Sequence, residues 1–512
     1  MKVLLVQPEA ERAMIHLGLG YLATVLESRG DKVKILDIGI EGESEKKIAK
    51  FIELFSPNVV GITVQTHNYS KALMIAGLVK RLNPKCPVIM GGPHPSILTE
   101  DTLSEPTVDI VVRGEGDITI VELMDCLEHS GNLDSIRGIS FKTNGNILHN
   151  EDRPFIKDIN TIPFPAWHLF NMDGYLAKIN GCKVAPVLSS RGCPYSCIFC
   201  YRGPAAGKTF RARAAENVIS EIEQLKNQYG IGNILFVDDT FTLDQKRAER
   251  ICDLLIEKKL GISWRCQTRA DCLNLKLLTK MKMSNCIDIS IGVESGNWQI
   301  LATTQKQKKN TNYSKQFNIN GFAQDHEPVG SIENKSYKQV LRKAFKMAAE
   351  VGISTSATFI IGLPGDTKES VQETIDFAKE LNPNYAIFYA AMPYPGTELS
   401  RIIKERGGKL PENWDDYRLM SSDIVSSKMV AAFNISELSE KELGYYLKTA
   451  QMQFQMGRLS AGGEKRAIGI RNIFQIIKLS FIRAKSFREF SKFILRVIYS
   501  GTLFAWRRLS GR

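Results

Sequence analysis

Arg191-Gly192-Cys193-Pro194-Tyr195-Ser196-Cys197-Ile198-Phe199-Cys200-Tyr201 follows closely on the apolar run Val184–Leu188. A buried strand running into a loop bent by Gly192 and Pro194 is the first step of a βα series. Strand candidates recur after it at Ile234–Val237, Ile262–Cys266, Ile287–Gly292, Thr358–Gly362 and Ala386–Ala391. Ala215–Tyr229, Gln245–Lys258 and Glu369–Leu381 have helical spacing between them. Six such units predict a barrel or partial barrel of the TIM type, with its site at the carboxyl ends of the strands. The cysteines stand on the first of those ends.

Upstream, the first 130 residues alternate in the same way. Lys2–Val6, Lys32–Ile38, Val59–Val64, Val88–Met90 and Ile110–Val112 read as strands. Gly18–Arg29, Lys46–Phe55 and Ser70–Leu82 read as helices. Continuous rather than alternating apolar strands predict a doubly wound, flavodoxin-like parallel sheet that binds ligands beyond its strand ends. Asn144-Gly145 marks a hairpin within Gly138–Leu148. The expected organisation is a first α/β domain over 1–150, a Pro-rich linker over 151–182, and the barrel over 183–400. Thr303–Lys335, rich in Asn, Gln and Lys, reads as a mobile insertion into the barrel. A helical C-terminal region over 401–512 completes the chain.

With 512 residues, 43% hydrophobic and 24% charged, the composition is that of a soluble globular protein of two or three domains. No secretory leader is read at the N-terminus, and no apolar run reaches spanning length; Arg496 interrupts the longest, Phe493–Trp506. The ten cysteines in so large a chain argue for a reducing, cytoplasmic setting and a metal site rather than a disulfide framework. Of the net charge of +12, the segment from Arg458 to Arg512 carries +11: thirteen Lys and Arg against Glu464 and Glu489. Its interleaved basic and apolar residues, from Ile468 to Trp506, read either as a basic amphipathic helix for anionic membrane or as a core-packed terminal helix. No nucleic-acid module is recognised, so none is expected as a partner.

Three soft thiolates within eight residues suit one iron–sulfur cubane and leave one iron without a protein ligand. The competing zinc knuckle calls for paired ligands. Here the spacing is three then two, no second pair follows, and the seven His are scattered.

The C-x-x-x-C-x-x-C motif on the first barrel loop resembles the radical S-adenosylmethionine (SAM) superfamily. That resemblance implies a 4Fe–4S cluster on Cys193, Cys197 and Cys200, with SAM on the open iron and an electron donor such as flavodoxin or ferredoxin. Reductive cleavage of SAM would then give a 5′-deoxyadenosyl radical. It also implies Phe199 and Tyr201 near the adenine, and Asp238, Asp239 and Thr240 at the SAM amino group, where the commoner Gly-Gly-Glu form is absent. Arg269 would pair with the SAM carboxylate, and Glu294 and Ser295 with ribose or methionyl groups. The match runs from Lys183 to Leu399 and ends in Gly362-Leu363-Pro364-Gly365-Asp366 and Pro393-Tyr394-Pro395-Gly396-Thr397.

A doubly wound domain ahead of such a barrel resembles the cobalamin-binding, class B methyltransferase-like branch of that superfamily. Thr63, Gly91, Gly92, His94, Gly114 and Glu115 are the residues this implies at the cofactor. The Asp-x-His-x-x-Gly motif that supplies an axial His elsewhere is missing, and His16, at the wrong offset from Gly20, reads as structural or surface. The branch implies methylation of an unactivated carbon on a small-molecule or lipid substrate. Oxidative cyclisation or carbon–carbon coupling is the second reading, and a metal-stapled, membrane-docked binding protein the non-enzymatic one. A methylthiotransferase would carry a second three-Cys cluster, but only Cys86 and Cys126 precede the linker. No residue is assigned as the catalytic acid or base.

Overall fold

The computed structural model describes residues 1–8, 15–42, 44–175, 178–179, 181–201, 207–306, 334–417 and 434–459. The basic tail beyond 459 and positions 307–333 of the expected insertion lie outside them. Five strands open the chain: β1 (Lys2–Gln7), β2 (Lys32–Asp37), β3 (Val59–Thr63), β4 (Val88–Gly91) and β5 (Ile110–Val112). They pair in parallel in the order β2-β1-β3-β4-β5. Successive side chains of a strand point to opposite faces, so β1 feeds two cores. Leu4 and Val6 pack with the helices Glu45–Phe55 and Tyr69–Leu82. Val3 and Leu5 pack with Leu17–Arg29 and Thr119–Glu128. Burial on both faces is why these strands read as unbroken apolar runs.

The expected hairpin is β6 (Ile139–Thr143) and β7 (Asn146–His149), with Asn144 and Gly145 both at positive φ. It pairs antiparallel onto β5 and lengthens the sheet to seven strands, an extension the sequence pattern did not announce.

The second sheet begins with the short β8 (Lys178–Ile179), antiparallel to β9 (Cys182–Val187). After a two-stranded ribbon, β10 (Ser190–Arg191) and β11 (Arg211–Ala212), come β12 (Asn233–Phe236), β13 (Ser263–Thr268), β14 (Cys286–Glu294), β15 (Ser354–Ile361) and β16 (Tyr385–Ala390). The six long strands run parallel in chain order, β9-β12-β13-β14-β15-β16, as an open half-barrel. Residues that face the helices, such as Trp264, Ile289, Ala357 and Phe388, are fully buried, whereas their strand neighbours Arg265, Ser290, Ser356 and Ile387 keep some exposure toward the lumen. The helix Trp298–Thr303 follows β14, and the next described helix opens at Asn334. Thr303, Asn334 and Lys335 thus belong to helices rather than to the insertion. The helices Glu398–Glu405 and Glu440–Leu459 close the described C-terminal region.

Candidate functional site

Arg191 and Arg211 face each other across the β10–β11 ribbon, which forms the stem of the loop carrying all three motif cysteines. Gly192 opens that loop at φ +81, and a Cβ there would lie 2.3 Å from the Thr209 carbonyl oxygen. Only glycine permits that turn. Inside the loop Ile198 is pinned twice: its N–H donates to the Thr304 carbonyl, and its carbonyl accepts from the Leu399 N–H. Burial pushes the Cys197 thiol up to about 12 and raises that of Cys193. A thiol that burial keeps neutral loses its proton readily only to a cationic centre, and an iron–sulfur core is one. A cubane takes its thiolates at separate corners, and three cysteines on one loop can supply them.

Around the thiols the structure redistributes the expected SAM contacts. Arg269 donates twice to Asp271, at 2.9 and 2.7 Å, and once to the Lys306 carbonyl. Its guanidinium lies 3.5 Å from the centroid of Tyr195, inside the cysteine motif. The fork expected for a carboxylate of SAM is therefore held by Asp271. Glu294 sits at φ +69 beside a register shift in β14, and its carboxylate is paired with Lys306, both side chains under 10% exposed. Asp238 is wholly buried and accepts from Ser189 and Ser190, fixing β12 to the end of β9. That corrects its reading as a SAM contact. Ser295 is likewise internal: its hydroxyl meets Thr374 at 3.0 Å and accepts from the Asn297 N–H. Asp239 does reach open space. Phe199 packs on the cluster of Ile198, Ile300, Leu363 and Leu399, while Tyr201 turns the other way, toward Tyr394 and a cavity between the two sheets.

That cavity measures about 410 Å³ and lies where the carboxyl ends of β1, β3, β4 and β5 face the cysteine loop. Thr63, Gly91, Gly92 and Gly114 line it from the first domain, and Arg191, Gly192, Tyr201 and Asp239 from the barrel. Its glycines let a broad, flat ligand approach the backbone; at Gly92, φ is +104 and a Cβ would lie 2.9 Å from the Val64 carbonyl. A corrin is such a ligand, and the walls fit one. His16 also borders the cavity, but its Nδ1 accepts from the Leu19 N–H as the cap of the first helix, the structural role expected of it. Desolvation lowers it to about 4, so it stays neutral.

Two expected contacts change. His94 is 1% exposed and turns away from the cavity, its ring 4.2 Å from that of Tyr69 and 4.9 Å from that of Trp414. It anchors the C-terminal region to the first domain rather than meeting a cofactor. Glu115 borders the cavity, but its carboxylate is engaged by Arg191, Arg211 and the Ile156 N–H. Lys306, Tyr195, Asp271, Arg191 and Asp117 escaped the sequence reading as site residues. Arg191 and Tyr195 flank motif cysteines, and that adjacency was the available signal. Lys306 stands at the edge of a stretch read as loop.

Two family models match the chain: a B12 binding domain over residues 5–124 and the radical SAM superfamily over 187–378. An uncharacterized methyltransferase of Pyrococcus horikoshii is 36% identical over 458 residues, covering 88% of this chain and 93% of the relative. The anaerobic magnesium-protoporphyrin IX monomethyl ester cyclase of Rubrivivax gelatinosus is 27% identical over 400 residues, 77% of this chain and 66% of that protein. Among solved structures, the radical SAM methyltransferase TsrM of Kitasatospora setae, with cobalamin and a 4Fe–4S cluster bound, superposes with a TM-score of 0.63. At 17% identity over 80% of this chain and 76% of TsrM, it shows the shared fold.

Proposed function

The chain belongs to the cobalamin-dependent radical SAM methyltransferase family, an enzyme family built on a 4Fe–4S cluster, SAM and cobalamin, and on that premise we propose that it methylates an unactivated carbon of a small-molecule or lipid substrate. The observation that carries this is the cavity shared by the two sheets, in which Gly91 and Gly92 face Tyr201 and Asp239. When bound, these groups supply the electron, a hydrogen-abstracting radical and the methyl group. The chain's own residues hold them. Cys193, Cys197 and Cys200 ligate the cluster, and the glycine floor with Thr63 seats the corrin. Asp239, Tyr201 and Phe199 border SAM, and the buried charges of Lys306, Arg269 and Glu294 act on Cys197. Cytoplasmic residence, a flavodoxin- or ferredoxin-type donor and a membrane contact through the basic tail are further parts of the proposal. Among the described residues no helix is long and apolar enough to cross a membrane.

The cyclase relative favours a second reading, oxidative ring formation. Incubating the reconstituted enzyme with trideuteromethyl-SAM and an extract of a deletion strain separates the two. A product that acquires the labelled methyl group supports methylation. An unlabelled product lighter by two hydrogens overturns it in favour of cyclisation.

A further inference from the structure

Glu115 and Asp117 sit on the loop after β5, and Arg191 and Arg211 on the stem of the cysteine loop, so the two domains meet through four charges, Asp117 and Arg211 buried and Glu115 and Arg191 partly so. Arg191 donates to both Asp117 oxygens at 2.8 and 3.1 Å and to Glu115 at 3.0 Å. Arg211 donates to both Glu115 oxygens at 2.8 Å and to the Ile156 carbonyl at 2.9 Å. Each guanidinium also covers a ring, Arg191 that of Tyr21 and Arg211 that of Phe155. All four ionic side chains are under 15% exposed, so salt screens them little. Tyr21, Glu115, Asp117 and Arg191 all border the cavity between the domains.

We propose that Arg191 and Arg211, gripping Glu115 and Asp117, are positioning residues that set the separation between cobalamin and the iron–sulfur cluster. This rests on the cofactor assignment above. Domains of one chain ordinarily move against each other unless a large apolar interface joins them. Here two planar, rigid forks on a two-stranded ribbon hold carboxylates beside the glycine floor, and an Arg fork fixes orientation as well as distance. The same ribbon positions the three thiols, so one clasp ties the first domain's rim directly to the cluster. An error of about 1 Å in such a gap costs on the order of a hundredfold in rate.

The test needs no substrate. In anaerobically reconstituted full-length protein carrying cob(II)alamin and reduced cluster, pulsed electron paramagnetic resonance reads the separation of the two spins. Wild type should give one narrow separation. Glu115→Gln with Asp117→Asn, equal in shape but without charge, should give a longer and broader one; Arg191→Lys, which keeps the charge but loses the fork, should fall between and serves if the double variant fails to fold. An unchanged separation in the variants, with only a lower melting temperature or weaker cobalamin binding, overturns the clasp. A wild-type sample lacking either spin signal overturns the cofactor assignment itself, and the clasp with it.

Discussion

Lys306→Met should cost the barrel far more than loss of a surface ion pair. Lys306 and Glu294 are paired with side chains only 6% and 8% exposed. Removing the ammonium strands a carboxylate out of water, and breaking such a pair costs about 3–5 kcal/mol. The surroundings sharpen the penalty. Glu294 is held at φ +69 at the end of β14, the Lys306 carbonyl accepts from Arg269, and the Thr304 carbonyl accepts from Ile198 in the cysteine loop. Glu294→Gln combined with Lys306→Met removes both charges and should recover most of the loss. At roughly 2–4 °C per kcal/mol for a domain of this size, the single variant should melt about 10 °C lower. Differential scanning calorimetry on cluster-free protein reads both variants. A drop of about 1 kcal/mol or less, the scale of exposed pairs, or a double variant no better than the single, would refute a buried, mutually dependent pair.

Other outcomes follow from single residues. His16 and His94 are both lowered from the usual 6.5 to about 4 by desolvation. The folded first domain therefore keeps them neutral, and its stability is complete above pH 6.5 and lost as pH falls toward 4. At about 1.4 kcal/mol per pH unit each contributes roughly 3 kcal/mol, and acid titration by circular dichroism should show His94→Phe unfolding at lower pH than wild type. Gly92→Ala must place a Cβ 2.9 Å from the Val64 carbonyl at φ +104, so it should cost about 1–3 kcal/mol and weaken cobalamin binding in equilibrium dialysis. Cys197→Ser should abolish cluster iron while cobalamin absorbance persists; retained iron would remove that cysteine from the ligand set.

The strands of the first sheet were legible because parallel sheets bury both faces and so leave unbroken apolar runs, as at Val59–Thr63 and Ile110–Val112. The cysteines were legible because their spacing lies within one loop. Side-chain direction was not. Asp238, Ser295 and Glu115 stand at strand ends where ligands bind, yet each turns its oxygens to neighbours that lie far off in sequence: Ser189, Thr374 and Arg211. His94 follows two cavity glycines, but the short helix Pro93–Ile97 carries its ring to Tyr69 and Trp414. Lys306 was hidden for the opposite reason. It belongs to no periodic element, and its importance comes only from the burial of Glu294.

The most direct measurement is the electron paramagnetic resonance spectrum of the anaerobically reconstituted, dithionite-reduced enzyme, recorded before and after SAM is added. Coordination to an iron that Cys193, Cys197 and Cys200 leave open should change the cluster signal. An identical spectrum at full iron loading would contradict it.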